Sequence, residues 1–245
     1  MNILITGGTS TIGKAIVMEF AHGNSLFLLS RDTKSNKLQE LKEKALSLGS
    51  ESVTFLNEDL GNYLDDKIDN IIKYNYDLFI NIANSTSNLT DEDVHPAAHY
   101  YYTNVDLTNP LIIIEKLLKN KSQKVNEKKL VMVFISTILS KINSPNSIIY
   151  SSYKTLQEQY IKRFKNLYKN NFDFLIVNIG TRIDREKESI KTAKIARGIK
   201  RKLKSGKKYL NFGIEGKILF LLYNISPMLC KSAIYLSRLL KNKDY

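Results

Sequence analysis

The stretch "ITGGTSTIG" (residues 5–13) follows a short apolar run and precedes a helical pattern. Gly7 and Gly8 allow a tight turn at this point, and Gly13 allows the following helix to pack closely against a sheet. Backbone N–H groups at the start of such a helix point outward and can bind a pyrophosphate. The stretch therefore predicts a dinucleotide-binding turn between a first strand and a first helix. The alternative is a glycine-rich turn that binds no ligand.

Short apolar runs alternate with helical patterns outward from this turn. Continuous apolar strands separated by helices are typical of a parallel sheet covered on both faces, so the pattern predicts an α/β, doubly wound Rossmann fold. We expect one domain over residues 1–245, with 185–245 as a substrate lid or C-terminal extension. The predicted strands are Asn2–Thr6, Ser25–Ser30, Val53–Asn57, Leu78–Ala83, Leu130–Ser136 and Phe174–Ile179. The predicted helices are Lys14–His22, Lys34–Leu48, Tyr63–Tyr74, Tyr101–Lys119, Tyr150–Lys169 and Ser189–Lys204.

The end of the second predicted strand bears on cofactor choice. An acidic residue at this place suits the ribose hydroxyls of NAD, whereas an arginine suits the additional 2′-phosphate of NADP. Arg31 directly follows the apolar run, with Asp32 beside it. We therefore favour NADP over NAD as the cofactor; a solvated charge pair is the plainer alternative.

Composition excludes some classes of function. The single cysteine excludes an internal disulfide and suits a reducing cytoplasm, and three histidines leave little material for a zinc site, so no metal is predicted. The net charge is +13, and residues 185–208 hold eleven Lys/Arg and two Glu. Such a segment is either a solvated helix face or a contact for an anionic membrane or a nucleic acid. No recognisable nucleic-acid module accompanies the charge, so we expect no nucleic-acid partner.

Seven short motifs in order resemble those of the short-chain dehydrogenase/reductase family and together cover roughly residues 1–184. They are "TGGTSTIG" (6–13), "EDL" (58–60), "NIAN" (81–84), "YTNVDLTNPL" (102–111), "VFIST" (133–137), "YSSYK" (150–154) and "NIGTRID" (178–184). The resemblance implies a parallel sheet of about seven strands whose last strand lies near Lys208–Phe212. It also implies an NAD(P)-dependent enzyme acting on CH-OH/C=O groups.

The same resemblance implies which residues bind the cofactor. Asp59 would contact the adenine, Leu60 would lie under it, and Lys154 would hold the nicotinamide ribose. The full set of implied cofactor contacts is Gly7, Thr9, Ser10, Thr11, Ile12, Arg31, Asp59, Leu60, Asn81, Ala83, Asn84, Tyr150, Lys154, Gly180 and Ile183.

The stretch "YSSYK" contains two tyrosines, and helix geometry selects one of them. Positions i and i+4 share a helix face, so Tyr150 lies beside Lys154. Tyr153 is adjacent to Lys154 in sequence and points about 100° away around the axis. A nearby ammonium favours the phenolate and lowers a tyrosine pKa, so we predict Tyr150 as the catalytic acid and base.

Two further catalytic positions are implied by the family pattern. Its carbonyl-orienting serine stands thirteen residues before the tyrosine, which leads to Thr137; Ser136 is the alternative. Neighbouring strand residues face opposite sides, so the two are not interchangeable. The family's helix asparagine corresponds to Asn104, which would hold a water near Lys154.

Beyond residue 185 a basic helix is followed by an apolar stretch interrupted by Pro227. This arrangement is similar to a subgroup of these reductases that includes enzymes acting on keto-sugars linked to polyprenyl phosphate. An apolar segment beside many lysines would suit an amphiphilic substrate at the inner face of a membrane, so 185–240 is a candidate for peripheral membrane contact. The alternative is that 218–240 packs in the fold or in a subunit interface.

The sequence thus predicts an NADP-dependent carbonyl reductase, cytoplasmic or peripheral at the membrane, acting on a ketone that is a keto-sugar or is linked to a lipid. The resemblance implies a homo-oligomer assembled through the helices at 101–119 and 150–169. The alternative function is a non-catalytic nucleotide-binding relative with a regulatory or scaffolding role.

Overall fold

A computed structural model describes residues 1–31, 33–64, 67–85, 96–123, 128–137, 140, 148–179 and 188–241. Its strands form one parallel sheet of seven in the order β3-β2-β1-β4-β5-β6-β7. This confirms the predicted doubly wound fold and the seventh strand. The strands are β1 Asn2–Thr6, β2 Ser25–Ser30, β3 Ser52–Asn57, β4 Leu78–Asn81, β5 Leu130–Thr137, β6 Phe172–Ile179 and β7 Tyr209–Phe212.

Helices cover both faces of this sheet. Between Asn104 and Thr108 the helical path widens into one π turn, which joins α4 to α5. The helices are α1 Thr11–Phe20, α2 Asn36–Ser47, α3 Ile68–Ile72, α4 Pro96–Thr103, α5 Asn109–Ser122, α6 Ile148–Leu167, α7 Glu188–Lys204, α8 Ile214–Ile225 and α9 Pro227–Lys241. Within the described chain, no helix is both long enough and apolar enough to cross a bilayer.

Two apolar cores lie on opposite faces of the sheet. On one face Ile16 of α1, Leu41 of α2 and Ile199 of α7 are buried against strand residues such as Ile5. On the other face α3, α5 and α6 pack against residues such as Phe79. The strands β2 and β3 lie on one side of β1, and β4 to β7 lie on the other side. The strand order therefore reverses between β1 and β4. A doubly wound sheet binds its ligands in the crevice at that point, beyond the carboxyl ends of the strands.

The helix predicted at Tyr101–Lys119 departs from the prediction. It begins earlier, at Pro96, and contains the π turn, which closes with the Asn109 N–H donating to the Asn104 carbonyl. A π turn brings residues five apart to one side of the helix, which an α-helical turn does not. The Asn104 and Asn109 side chains thereby both reach the loop after β3, donating to the carbonyls of Gly61 and Leu60.

The helix predicted at Tyr63–Tyr74 is shorter in the structure, where α3 covers only Ile68–Ile72. The Asn62 N–H donates to the Asp59 carbonyl, which makes a turn, and the Asn62 carbonyl accepts from the Asn109 amide at 2.6 Å. These bonds hold residues 59–62 in a turn, and a helical pattern alone does not reveal them.

Candidate active site

The turn after β1 has the geometry that its glycines predict. Gly7 has φ 67°, and a Cβ added there would lie 2.7 Å from the Ala83 nitrogen, so a side chain would be strained and obstructed. Ser10 caps α1: its Oγ accepts from the Gly13 N–H at 3.1 Å and donates to the Gly7 carbonyl at 2.8 Å. Thr9 and Thr11 are exposed beside it, and Ile12 is half-buried against the core. The turn therefore presents the positive end of α1 to the crevice.

A buried hydrogen-bond group at the end of β4 forms the floor of this crevice. Thr6 Oγ1 donates to Asn81 Oδ1 at 2.7 Å and accepts from the backbone N–H groups of Ile82 and Ala83, each at 3.2 Å. The Asn81 side chain is 1% exposed, and its Nδ2 has no hydrogen-bond partner among the described residues. A buried unpaired donor costs free energy unless a ligand accepts from it, so this atom fits a cofactor contact. Asn84 is half-buried further along the loop.

Arg31 takes part in a hydrogen-bond chain at the β2 side of the crevice. Its Nη1 donates to the Tyr101 hydroxyl at 2.9 Å, and that hydroxyl donates to Asp59 Oδ1 at 3.4 Å. Asp59 Oδ1 also accepts from the Gly61 N–H at 2.8 Å. The Tyr101 hydroxyl thus holds the Arg31 guanidinium and the Asp59 carboxylate near each other. Leu60, predicted to lie under the adenine, is 5% exposed and packs in the core beneath this edge.

The structure brings Tyr150 and Lys154 together at the beginning of α6. Lys154 Nζ lies 5.7 Å from the centroid of the Tyr150 ring and 4.8 Å from the centroid of Phe134 in β5. The Lys154 side chain is only 2% exposed. Phe134 pairs in register with Asn81, the last residue of β4, so the ammonium lies level with the carboxyl end of that strand.

Burial alters the protonation of both members of the pair. It lowers the pKa of Lys154 to about 8, although the negative charges of Asp106 and Glu158 act in the opposite direction. Burial, followed by the negative charge of Asp106, raises the pKa of Tyr150 to about 12. The direction is opposite to the lowering by Lys154 that the sequence predicts, because burial and Asp106 both raise the pKa of Tyr150. Tyr150 is therefore a phenol at neutral pH, which is the form that donates a proton.

Tyr153 points to a different part of the molecule. Its hydroxyl shares a 2.7 Å hydrogen bond with Thr103 Oγ1, at the end of α4. This agrees with the expected angle between Tyr153 and Lys154 around the helix axis. The hydroxyl of Tyr153 is thus engaged in holding α4 to α6.

The π turn brings the charge of Asp106 to the pair, and the role predicted for Asn104, a water near Lys154, stays a prediction. The Asn104 side chain is buried and donates to the Gly61 carbonyl at 3.0 Å. Asp106 is fully buried; its Oδ1 accepts from the Ser85 N–H and its Oδ2 from the Ser85 hydroxyl, both at 2.9 Å. Because Asp106 lies two residues after Asn104, it faces another side of the helix, where its charge acts on Tyr150 and Lys154.

The end of β5 separates the two candidates for orienting the carbonyl. Ser136 Oγ donates to Glu158 Oε1 at 2.7 Å in a buried bond, and Ser140 Oγ donates to the same oxygen at 2.8 Å. Thr137 is also buried, and as the next strand residue it faces the opposite side. The Ser136 hydroxyl is therefore committed to Glu158, and the choice of Thr137 stays a prediction. Gly180 and Ile183, predicted to close on the nicotinamide, lie outside the described residues.

Sequence reasoning missed Asp106 and Glu158, yet each leaves a signal. Asp106 is the only charged side chain between Thr103 and Ile114, in a helix that is otherwise apolar or neutral. Glu158 stands four residues after Lys154, the spacing at which opposite charges meet on a helix. A lone charge in a buried helix, or a charge four residues from a buried lysine, indicates a residue that sets the charge of the site.

The fold and the site together define a class: Rossmann-fold oxidoreductases that use a nicotinamide dinucleotide. The family model described as "short chain dehydrogenase" matches residues 1–180, and the chain therefore belongs to the short-chain dehydrogenase family. No curated protein matches the sequence.

Solved structures show the same fold at low identity. A bulky-bulky ketone specific alcohol dehydrogenase from Comamonas testosteroni has a TM-score of 0.75 and 14% identity, with 93% of each chain covered. A short-chain dehydrogenase from Sphingobium yanoikuyae in complex with NADPH has a TM-score of 0.73 and 16% identity, covering 85% of this chain and 86% of that one. An alternative dihydrofolate reductase 1 from Brucella canis, complexed with NADP, has a TM-score of 0.71 and 16% identity, covering 88% and 92%.

Proposed function

We propose that the protein is an NADP-dependent carbonyl reductase that transfers hydride between the nicotinamide and a ketone. The observation that carries this proposal is the buried Tyr150–Lys154 pair beside the crevice. When bound, the reduced nicotinamide supplies the hydride. Tyr150 donates its phenolic proton to the carbonyl oxygen, so that the carbon gains the hydride and the oxygen gains the proton. Solvent then returns the proton to Tyr150.

Other residues of the chain orient the reactants. The Lys154 ammonium holds the nicotinamide ribose and stabilises the phenolate left after proton transfer. Thr137 donates a hydrogen bond to the substrate carbonyl. The α1 N-terminus and Asn81 Nδ2 contact the rest of the cofactor. A test is oxidation of NADPH by the purified chain with a panel of ketones that includes keto-sugars and amphiphilic ketones. Turnover with one of them and no turnover without ketone is the expected result.

Arg31 supports NADP as the preferred cofactor, because Tyr101 already holds its guanidinium beside Asp59. We expect Arg31→Gln to raise the dissociation constant of NADPH about 50-fold, since charge-assisted hydrogen bonds to the 2′-phosphate are lost. The dissociation constant of NADH should change less than about twofold, because it has no such phosphate. Fluorescence titration of both cofactors measures the two constants, and Lys37→Gln on exposed α2 is the matched control. Equal weakening of both cofactors would argue against a 2′-phosphate contact.

The substrate we propose is an amphiphilic ketone, either a keto-sugar or a lipid-linked compound. Support comes from the C-terminal helices α8 and α9, which expose apolar side chains and follow the basic helix α7 in the chain. A substrate with an apolar chain and a charged head would match both surfaces.

A non-catalytic, cofactor-binding protein is the second candidate. The observation that favours it is the pKa of Tyr150, raised to about 12 by burial and by the Asp106 charge. A phenol this weakly acidic transfers its proton slowly unless bound cofactor lowers the pKa. Tight NADPH binding with no reduction of any ketone in the panel would establish this alternative.

We also propose that the chain forms a homo-oligomer through α5 and α6. Exposed apolar side chains on α6 support this: Leu156 is 40% exposed, Tyr160 46% and Leu167 67%. Burial of such a patch stabilises subunit association. Light scattering after size-exclusion chromatography should give a multiple of the 28.1 kDa chain mass, and Tyr160→Glu should lower it to one chain. An unchanged mass for the variant would place the contact elsewhere.

A further inference from the structure

Helix α8 and the beginning of α9 expose a continuous apolar stripe. Ile218 is 52% exposed, Leu221 61%, Ile225 67% and Met228 77%. Their spacing of three and four residues places the α8 members on one side of the helix. This stripe, Ile218–Leu221–Ile225–Met228, is called the apolar stripe below.

The apolar stripe belongs to a helix with few polar side chains. Between Lys217 and Ile225, only Lys217 and Asn224 are neither aliphatic nor aromatic, and no side chain in this range is buried. The described chain covers α8 in part, since it packs against β7 and α9, and Leu219, Leu222 and Tyr223 are half-buried. The apolar stripe lies on the side that stays exposed, so it is open to an external apolar body.

Basic side chains of α7 lie close to the end of β7, which leads into α8. Lys194, Arg197 and Arg201 of α7 line a cavity of about 440 Å³ together with Gly198 and Phe212. Phe212 ends β7 and is separated from α8 only by Gly213, so the cavity adjoins the start of α8. The three cations recur on the exposed side of α7, opposite the buried Ile195, Ala196 and Ile199.

These cations differ from Lys200, which lies on the same helix. Lys200 Nζ is 3.4 Å from Glu19 Oε1 and donates to the Glu19 carbonyl, so its charge is used within the fold. Within the ranges that the structure describes, none of Lys194, Arg197 and Arg201 forms an ion pair with an acidic side chain. Positive charge is therefore available for an external anion.

We propose that α7 and the apolar stripe form a docking surface for an anionic lipid membrane. The cations would contact lipid phosphates, and Ile218, Leu221 and Ile225 would insert at the boundary between headgroups and acyl chains. A second copy fits less well, because it would bring its own cations to the same place in a chain of net charge +13. Within the described residues no helix can cross the bilayer, so α8 lies in the plane of the surface.

Vesicle sedimentation of the full chain tests this proposal without cofactor or substrate, so its outcome is separate from that of the reductase assay. The chain should sediment with vesicles of phosphatidylcholine and phosphatidylglycerol, and not with phosphatidylcholine alone. Leu221→Ser with Ile225→Ser should weaken binding about tenfold or more, because apolar insertion is lost. Arg197→Gln with Arg201→Gln should weaken it about 20-fold at low salt, and NaCl at about 0.5 M should do the same to the unmodified chain.

Matched variants control for general loss of apolar or positive surface. Leu46→Ser with Leu48→Ser changes two other exposed apolar side chains, at the end of α2, and Lys162→Gln with Arg163→Gln removes two exposed cations of α6. Both should bind vesicles as the unmodified chain does. Absence of binding to anionic vesicles would overturn the proposal, as would equal weakening by the matched variants. A dimer that dissociates in Leu221→Ser with Ile225→Ser, without vesicle binding, would assign the stripe to a second copy instead.

Discussion

Replacing Tyr150 by Phe is expected to lower kcat for ketone reduction at least about 1000-fold, while the dissociation constant of NADPH stays within about threefold. The substitution removes only the hydroxyl, so the proton donor is lost and the ring beside Lys154 remains. General acid catalysis contributes about 10²–10⁴ in rate, which sets the size of the effect. Single-turnover oxidation of NADPH measures the chemical step directly, apart from binding and product release.

Tyr153→Phe is the matched control for this experiment. Both tyrosines lie in the first turns of α6, and both substitutions remove one hydroxyl. The Tyr153 hydroxyl bonds to Thr103, so its loss should cost about 1 kcal/mol of unfolding free energy and leave kcat within about threefold. Retained turnover in Tyr150→Phe would exclude Tyr150 as the acid, and a larger loss in Tyr153→Phe would exchange the two assignments.

The fold was predictable from the sequence because its determinants are local. Apolar runs of strand length, helical spacing and the turn at Gly7–Gly13 each fix a structure within a few residues. The pairing of Tyr150 with Lys154 was accessible for the same reason, since helix geometry alone places positions i and i+4 together. The choice between Ser136 and Thr137 as the residue that orients the carbonyl also follows a local rule, because neighbouring strand residues face opposite sides.

The charge of the site was not predictable in the same way, because it depends on contacts between distant segments. Asn104 matches the family pattern in sequence, and its amide donates to the Gly61 carbonyl from the first residue of the π turn. No local propensity indicates that π turn. The pKa of Tyr150 depends on Asp106, more than forty positions away in the chain, and on burial that only the packed structure defines. Residue identity therefore located the pair, and tertiary packing determines its protonation.

Asp106→Asn is expected to change the pH dependence of ketone reduction more than its maximal rate. The plot of kcat/KM against pH reports the groups of the free enzyme. In the unmodified chain it should fall above pH about 8, where Lys154 loses its proton, while Tyr150, with a pKa of about 12, stays protonated. The charge of Asp106 favours the ammonium, so its removal lowers the pKa of Lys154 further. The decline should then begin about one pH unit lower, and activity at pH about 8 should fall roughly fivefold.

Glu158→Gln separates this effect from a general loss of negative charge. Glu158 also favours the Lys154 ammonium, but Asp106 acts more strongly on Lys154. Burial raises the pKa of Tyr150 most, and of the two carboxylates only Asp106 adds to that rise. A glutamine at 158 can still accept from Ser136 and Ser140, so the end of β5 should stay in place. We expect its pH profile to shift in the same direction by less than that of Asp106→Asn. Alcohol oxidation requires the Tyr150 phenolate. At high pH its rate should therefore be higher in Asp106→Asn than in the unmodified chain, whereas Glu158→Gln should show no such rise. A profile of Asp106→Asn identical to the unmodified one would show that Asp106 does not set the charge of the pair, and would assign it a structural role through its hydrogen bonds to Ser85.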